Sequence, residues 1–220
     1  MTMNCPDLSR PTEVPLLKRG IYGVVGKRVF DVCLILLAAP IVLPLIAVLA
    51  LLVMRDGKCA FYTQNRIGRD GSYYKIWKLR TMVANADELL SAYLASNPEA
   101  AAEWKATQKL KNDPRITPLG RILRKTSMDE LPQLWNVFVG EMSLVGPRPM
   151  LPEQQAMYPG RAYYSQRPGI TGTWQISKRN ECSFSDRARF DSDYIANISL
   201  VQDFKVLLAT VRVVVKGTGY

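Results

Sequence analysis

Two adjacent carboxylates, Asp129 and Glu130, lie between an arginine-rich segment and a Pro-Arg-Pro sequence, all within Gly120–Pro149. Acidic side chains among cations predict a phosphate-handling site, because a diphosphate needs guanidinium donors and a divalent metal to neutralise its charge. A carboxylate can also attack phosphorus as a nucleophile and form an acyl phosphate. Arg148 is a candidate phosphate ligand, since the prolines on both sides restrict its backbone and help to hold a planar donor in place.

The same spacing also has a purely structural interpretation. Ser127 followed three residues later by Glu130 forms a capping-box pattern, which predicts that a helix begins at Ser127. Apolar residues continue at helical spacing from Leu131 to Phe138, and Gly140 predicts the helix end. In this interpretation the acidic pair only stabilises the positive end of a helix dipole.

The composition indicates anionic partners and leaves out histidine chemistry. Lysine and arginine number 29 against 19 acidic residues, a net charge of +10 in 220 residues, which favours nucleic acid, anionic lipid or phosphorylated substrates. The chain has no histidine, so acid–base chemistry must use carboxylates, lysine or tyrosine. Its four cysteines are scattered without a Cys-x-x-Cys pair, which argues against a zinc or redox motif and fits reduced thiols facing the cytosol.

Val32–Met54 is an uncharged apolar run, longer than the roughly 20 residues that a membrane-spanning helix needs. A simple transmembrane helix is therefore one interpretation. Pro40 and Pro44 favour another, because each removes a helical hydrogen bond and bends the axis. The run is flanked on both sides by basic residues: Lys27, Arg28, Arg55 and Lys58. Without the charge asymmetry that orients a span, we expect a broken, re-entrant helix with both flanks in the cytoplasm.

The rest of the chain predicts an α-rich α+β fold, in which a compact cytoplasmic domain with short strands follows the membrane helix. A hairpin is expected from Ala60–Gln64 and Tyr73–Leu79, with a turn between them. Further helices are expected at 84–94, from Asn97 to about Leu110, at 119–124, from Ser185 to about Asn197 and from Ser199 to Val215, and a strand at Ile170–Ser177.

The last of these helices carries an apolar face. Its members are Leu207, Leu208, Val211, Val214 and Val215, with basic residues at the margins. Packing into the core is one interpretation of this face, and contact with the membrane interface is the other.

Several long motifs occur in one order from about Lys27 to the C-terminus. They are KRVFD, YTQNRIGRDG, YKIWKLRTM, NDPRITPLGRILRKTSMDELPQLWNV, GEMSLVGPRP and RPGITGTWQISKRN. This series closely resembles the signature of the bacterial sugar transferases, the monotopic phosphoglycosyl transferases that start lipid-linked glycan assembly. Members of this family carry a re-entrant helix with a proline-centred break, which falls on Pro44 here, although Leu43 stands where relatives often have Ser or Ala.

The resemblance implies a reaction in two steps. The Asp of the acidic pair, here Asp129, attacks the diphosphate of a UDP-sugar with Mg²⁺ present, or Mn²⁺ in its place, and UMP leaves. Undecaprenyl phosphate then takes the phosphosugar from the enzyme. Glu130 would assist as a base, and both carboxylates would contact the metal. The GTWQISKRN sequence resembles hexose-1-phosphate transferases of exopolysaccharide synthesis, which favours UDP-galactose or UDP-glucose as the donor.

The resemblance also assigns binding residues and location. Arg124, Arg148 and Arg179 fall on family arginines and are expected to bind phosphate, as is Lys78 more weakly. The chain resembles the small, catalytic-core members, so we expect an enzyme at the cytoplasmic face of the bacterial inner membrane. It would comprise a mobile arm (1–26), a re-entrant helix (27–58) and a cytoplasmic catalytic domain (59–220).

Two alternatives without catalysis remain at this stage. One is a basic protein that binds nucleic acid or anionic lipid through its charge, although its aromatic residues are not interleaved with basic ones as a stacking platform requires. The other is a membrane scaffold in a polysaccharide assembly complex. Membrane lipid is an expected contact and nucleic acid is not, while a homodimer is left open.

Overall fold

Helix α1 (Lys27–Met54) is the longest element of the computed structural model, which describes residues 20–55, 58–107, 110–177 and 186–215. A π-helical turn at Tyr22–Gly26 leads directly into it. Within the described ranges this combined segment is the one helix long and apolar enough to cross a membrane. Helical structure therefore begins inside the predicted N-terminal arm, and residues 1–19 of that arm lie outside the described ranges.

Pro40 and Pro44 do not interrupt α1, which is one continuous helix across both. The predicted break at Pro44 is therefore wrong as a loss of helical structure. A proline removes one backbone hydrogen bond, and the turns on either side retain enough of theirs to continue the helix.

Both ends of α1 pack on the same protein body. Near its start, Asp31 accepts hydrogen bonds from the Ser143 hydroxyl at 2.7 Å and the Leu144 backbone N–H at 3.1 Å. Near its end, the Arg80 guanidinium donates to the carbonyl oxygen of Val53 at 3.0 Å. Between these ends α1 exposes large apolar side chains: Leu36, Leu37, Ile41, Leu43 and Val48.

The body contains a β-hairpin, a pair of short parallel strands and several helices. Strands β1 (Phe61–Ile67) and β2 (Tyr73–Leu79) pair antiparallel, with a 3-10 turn at Arg69–Gly71 between them. Strands β3 (Ser143–Val145) and β4 (Gly169–Thr171) pair in parallel. The helices are α2 (Ala86–Ser96), α3 (Pro98–Thr107), α4 (Pro118–Lys125), α5 (Gln133–Val139), α6 (Thr173–Ile176), α7 (Arg187–Ala196) and α8 (Leu200–Val215), with 3-10 turns at Pro152–Met157 and Ala162–Ser165.

Side-chain caps predicted from the sequence account for the starts of α3, α4 and α8. The Asn97 side chain accepts from the Ala100 N–H at 3.1 Å, and Thr117 accepts from the Gly120 N–H at 2.9 Å, so both predicted caps are confirmed. The Ser199 hydroxyl likewise accepts from the Gln202 N–H at 3.3 Å. The predicted cap of α7, Ser185, lies outside the described residues.

The predicted strand Ile170–Ser177 is wrong over most of its length. Strand β4 ends at Thr171, and Thr173–Ile176 forms the short helix α6. Thr173 at the start of α6 is buried, and its hydroxyl donates to the Phe190 carbonyl oxygen at 3.2 Å. Tertiary contact overrides local propensity here.

A buried polar cluster joins α1 to α8. Asp203 on α8 is fully buried and accepts from the Lys27 ammonium at 2.6 Å, the Tyr22 hydroxyl at 2.6 Å and the Tyr194 hydroxyl at 2.7 Å. Three donors satisfy this carboxylate, which is what a buried charge requires. The start of α1 is thereby fixed to α8.

The predicted apolar face of α8 is not a core face. Leu208 is 52% exposed and Val211 is 60% exposed, whereas Leu207 is half-buried. Val206, beside this face, is buried in the apolar cluster that contains Ile35 of α1. Of the predicted face, Leu207 packs against the core, whereas Leu208 and Val211 do not.

Candidate active site

Asp129 and Glu130 lie in a 3-10 turn, Met128–Glu130, between α4 and α5. Ser127 precedes the turn in the left-handed region at φ +56°, and its side chain makes no capping hydrogen bond. The predicted capping box is therefore wrong, and α5 begins only at Gln133. The predicted helix end is confirmed, since Gly140 closes α5 at φ +93°. Because no side-chain capping bond forms at this turn, the two carboxylates can make other contacts.

The turn packs against the C-terminal end of α1. Met128 and Leu131, on either side of the acidic pair, pack against an apolar cluster that joins α1 to the body. The buried members of that cluster are Leu49, Ala50, Val53, Ala60, Leu79 and Leu123. The two carboxylates are thus held where the exposed apolar helix meets the polar domain.

Lys78 on β2 connects both carboxylates. Its ammonium lies 2.6 Å from the Glu130 carboxylate and 3.9 Å from that of Asp129. Residue 78 is 51 positions before Asp129 in the chain, so the hairpin delivers this cation to the turn. The structure therefore brings Lys78, Asp129 and Glu130 together.

The two carboxyl groups differ in acidity. Burial raises the pKa of Asp129, and the charge of Lys78 only partly opposes it. Burial also acts to raise the pKa of Glu130, but the charges of Lys78 and Arg148 and the hydrogen bond from Lys78 outweigh it, and the pKa is lowered. Environments that separate two pKa values assign two roles. Glu130 is the more acidic carboxyl group and the close partner of Lys78, and Asp129 is the more basic, less tightly paired carboxyl group.

Two predicted arginines lie at this pair. Arg124 on α4 donates from Nε to the Thr81 hydroxyl at 2.8 Å, and its charge acts on Asp129. Arg148 is exposed in the Pro-Arg-Pro loop, and its charge acts on Glu130. Arg124 therefore acts on Asp129, and Arg148 acts on Glu130. Arg179 lies outside the described residues.

Sequence reasoning missed three neighbours of the pair. Gln133, three residues after Glu130, is 2% exposed, and Thr81 positions Arg124. Arg66 is held beside the Pro-Arg-Pro loop by a bond to the Pro149 carbonyl oxygen at 3.3 Å. Arg66 and Thr81 stand within two of the motifs that carry the family resemblance, YTQNRIGRDG and YKIWKLRTM, and that was the available signal.

The donor set fits a magnesium ion that arrives with its substrate. Within the described ranges, three or more acidic, histidine or cysteine side chains do not cluster at any point. Asp129 and Glu130 supply two adjacent carboxylates, which are hard oxygen ligands. Mg²⁺ is commonly bound by one or two carboxylates plus substrate phosphates rather than by a full protein cage.

Asp129 is buried and Glu130 is half-buried, and the pair lies among cations where the exposed apolar helix α1 meets the rest of the domain. The sequence model of the bacterial sugar transferases matches residues 22–217, nearly the whole chain. The chain therefore belongs to the bacterial sugar transferase family, as its motifs predicted.

Similar proteins of known name differ in length. The chain is 48% identical over 195 residues to a UDP-galactose-lipid carrier transferase of Erwinia amylovora, covering 88% of this chain but 41% of that protein. It is 44% identical over 200 residues to the exopolysaccharide production protein ExoY of Sinorhizobium fredii, covering 90% and 88%. An undecaprenyl-phosphate galactose phosphotransferase of Salmonella typhimurium is 45% identical over 195 residues, covering 88% and 41%. The chain thus spans less than half of two of these relatives and most of the third.

Proposed function

We propose that this chain transfers a hexose 1-phosphate from a UDP-sugar to undecaprenyl phosphate and releases UMP. The observation that carries the proposal is the packing of Met128 and Leu131 on the end of α1. A polyprenol carrier stays in the bilayer while a nucleotide sugar stays in water, so their reaction needs a site at the interface. The acidic turn is held at the foot of the exposed apolar helix, which meets that requirement.

The first step is attack by Asp129 on the sugar-bearing phosphorus. A new bond forms between Asp129 Oδ and that phosphorus, and the bond to the bridging oxygen breaks, so UMP departs with the electron pair. The raised pKa makes Asp129 the stronger nucleophile of the two carboxylates once it is ionised. Lys78 and Arg124 neutralise the charge that develops on the phosphoryl oxygens.

Glu130 supports this step without attacking. Its carboxylate holds the Lys78 ammonium at 2.6 Å, which fixes that cation between the two acids. Asp129 and Glu130 would also hold Mg²⁺, which neutralises diphosphate charge when it is bound. Arg148 is placed to contact a phosphate on the Glu130 side.

The donor is proposed to be UDP-galactose or UDP-glucose. Relatives named for galactose transfer are 45% and 48% identical. A Caulobacter vibrioides UDP-glucose:undecaprenyl-phosphate glucose-1-phosphate transferase is 37% identical over 221 residues. The ExoY relative points to exopolysaccharide synthesis as the process served.

We propose that α1 enters and leaves the membrane on the cytoplasmic side of the inner membrane. An upright helix of this length reaches about 42 Å, more than a hydrocarbon core of about 30 Å, so its ends would lie on opposite sides. Here Ile35 lies in one apolar cluster with Tyr74 of β2, and Leu49 and Val53 lie in another with Leu79 of the same strand. Docking of both ends on one hairpin supports a single-sided arrangement.

Topology is tested by cysteine labelling. Gly20→Cys and Ser72→Cys, each in a background without native cysteines, flank α1 on its two sides. We expect a membrane-impermeant maleimide to label both in inverted vesicles and neither in intact cells with a permeable outer membrane. Labelling of the two positions from opposite sides would contradict the single-sided arrangement.

Activity is tested with membranes that contain the chain, undecaprenyl phosphate and a panel of UDP-sugars. We expect UMP release with UDP-galactose or UDP-glucose. Lipid-linked product should form in the same molar amount as the UMP released. Membranes without the chain are the control. The proposal would be refuted if the chain turned over none of the UDP-sugars. Affinity for anionic lipid or duplex DNA that falls steeply with rising salt would then favour a binding protein.

A further inference from the structure

A small cavity lies beside the start of α1, at the opposite end of that helix from the acidic turn. Its volume is about 70 Å³, which holds several waters at roughly 10–15 Å³ each and so has room for a phosphate group. Cations from three separate segments line it: Lys27 and Arg28 on α1, Arg69 in the hairpin turn, and Arg167 before β4. The proposed sugar transfer uses none of these four side chains.

The last turn of α5 holds two of the arginines in place. The Arg28 guanidinium donates to the carbonyl oxygens of Val137 and Phe138, the latter at 2.6 Å. Arg167 donates from Nε to the Gly140 carbonyl oxygen at 2.7 Å. A helix C-terminus favours cations, so both guanidinium groups are fixed before any ligand arrives. Within the described part of the chain, the Nη donors of Arg167 have no acceptor.

The acidic groups near the cavity are already engaged. Asp31 lines the cavity and accepts from the two donors on β3 described above. Lys27 is paired with the buried Asp203 at 2.6 Å. Among the residues that the structure describes, neither Arg28 nor Arg167 forms an ion pair with a carboxylate. Their contacts are to neutral carbonyl oxygens, which leave both positive charges in place.

The three guanidinium groups repel one another. Burial, and then the charges of Arg69 and Arg28, lower the pKa of Arg167, and Asp31 only partly opposes them. Arg69 forms an ion pair with its neighbour Asp70 at 3.1 Å, which water and salt screen because both side chains are exposed to solvent. An anion in the cavity would relieve this repulsion.

An unpaired buried donor also lines the cavity. Gln166 is 5% exposed, and its side-chain Nε2 has no hydrogen-bond partner among the described residues. A buried amide N–H without an acceptor is costly, so this one indicates a ligand that supplies the acceptor. Guanidinium groups and an amide N–H together are a set of donors suited to the oxygens of a phosphate.

The surface next to the cavity distinguishes a lipid from a soluble ion. Val24 lines the cavity and is 60% exposed. Exposed apolar side chains continue from it along α1: Val25, Val29, Leu36, Leu37 and Ile41. A molecule with a phosphate head and apolar chains matches both surfaces, as at the membrane interface. Inorganic phosphate would fill the cavity and leave the apolar surface uncovered.

We propose that this cavity is a headgroup site for an anionic phospholipid. The three arginines and Gln166 hold its phosphate, and its acyl chains lie along the exposed apolar surface of α1. One bound phosphate thereby joins the start of α1, the hairpin turn and the segment before β4. The inference concerns how the chain is seated in the membrane and is independent of sugar transfer.

The test is calorimetry on the full chain in neutral detergent micelles. The probes are short-chain phosphatidylglycerol, short-chain phosphatidylcholine and inorganic phosphate. We expect saturable binding of phosphatidylglycerol. Phosphatidylcholine should bind at least about 10-fold more weakly, because its own ammonium group balances the phosphate charge. Inorganic phosphate should not compete with phosphatidylglycerol at equal concentration.

The variants are Arg167→Gln and Arg69→Gln, with Arg55→Gln as the matched control. Each of the first two removes a charge-assisted contact and should weaken phosphatidylglycerol binding by about 10-fold. Arg55 is an exposed basic residue just after α1 and lies outside the cavity, so Arg55→Gln should bind as the parent chain does. Arg69 lies in a surface turn with 41% of its side chain exposed, so Arg69→Gln covers the case in which Arg167→Gln fails to fold.

Three results would overturn the proposal. An equal loss in Arg55→Gln would mean that the lipid follows the overall positive charge, and unchanged binding in folded Arg69→Gln and Arg167→Gln would exclude the cavity. Displacement of phosphatidylglycerol by inorganic phosphate at equal concentration would assign the cavity to a soluble anion. These readouts need no turnover, so they test the site even in a chain that transfers no sugar.

Discussion

Replacement of Lys78 by methionine removes the cation between the two carboxylates and keeps the length of the side chain. Lys78 lies 3.9 Å from Asp129 and 2.6 Å from Glu130. A nearby positive charge favours the ionised form of a carboxyl group. Its loss therefore raises the pKa of Asp129, which burial has already raised. The nucleophile is then protonated over a wider range of pH, and the acid limb of the rate profile moves to higher pH.

The distance gives the size of this shift. Two unit charges 3.9 Å apart interact by about 4 kcal/mol at an effective dielectric constant of about 20, which corresponds to about 3 pKa units. Solvent reaches 24% of the Lys78 side chain, and Arg124 remains beside Asp129 after the change. Screening by both reduces the expected shift to about one to two pH units.

The assay is kcat/KM for the UDP-sugar, from UMP release, between pH 5 and 9. This quantity reports ionisations in the free enzyme and excludes those of the lipid acceptor. Lys75→Met is the matched control, because Lys75 is exposed on the same strand. Its profile should coincide with that of the parent chain. An acid limb that stays in place in Lys78→Met, with the fold intact, would refute the electrostatic role of Lys78.

Three further predictions concern the frame around the site and its metal. Asp203→Asn should lower the free energy of unfolding by about 3–5 kcal/mol, because it leaves Lys27 buried without its partner; an unchanged melting temperature in detergent would contradict this. Gly120→Ala places a Cβ 2.0 Å from the Thr81 carbonyl oxygen, so it should cost about 1–3 kcal/mol and reduce UMP release through the Thr81–Arg124 contact; a fully active, equally stable variant would argue against that contact. A chelator should abolish UMP release and Mg²⁺ or Mn²⁺ should restore it, and turnover in excess chelator would exclude the metal proposal.

Local signals in the sequence predicted the elements that depend on neighbouring residues. The caps at Asn97 and Thr117 formed because a side-chain oxygen and a backbone N–H three residues on meet whenever a helix begins there. The hairpin around Arg69–Gly71 and the helix end at Gly140 have the same local origin. These elements place Lys78, Arg124 and the acidic turn on the scaffold.

What the sequence mispredicted depends on contacts between distant residues. The Ser127 capping box failed because Glu130 turns to Lys78, and a local bond cannot compete with a charged partner at 2.6 Å. Arg66 was not predicted as a site residue, because the pairing of Ile67 with Met150 brings it close to the Pro-Arg-Pro loop. The exposure of Leu208 and Val211 is set by how α8 docks through Asp203 and Val206, which periodicity alone does not determine.

The central claim is that Asp129 forms a covalent bond to the phosphosugar, and direct capture tests it. The chain is incubated with a UDP-sugar labelled in the hexose, without lipid acceptor, and the protein is analysed by intact mass and peptide mapping. We predict one hexose phosphate on the peptide that contains Asp129, partial capture in Glu130→Gln and none in Asp129→Asn. Asp129→Asn should remain folded, because it removes a buried charge whose pKa is raised, and should lose on the order of 10⁴ in turnover. A folded Asp129→Asn chain that still captures the sugar phosphate or releases UMP at a near-normal rate would contradict the covalent mechanism.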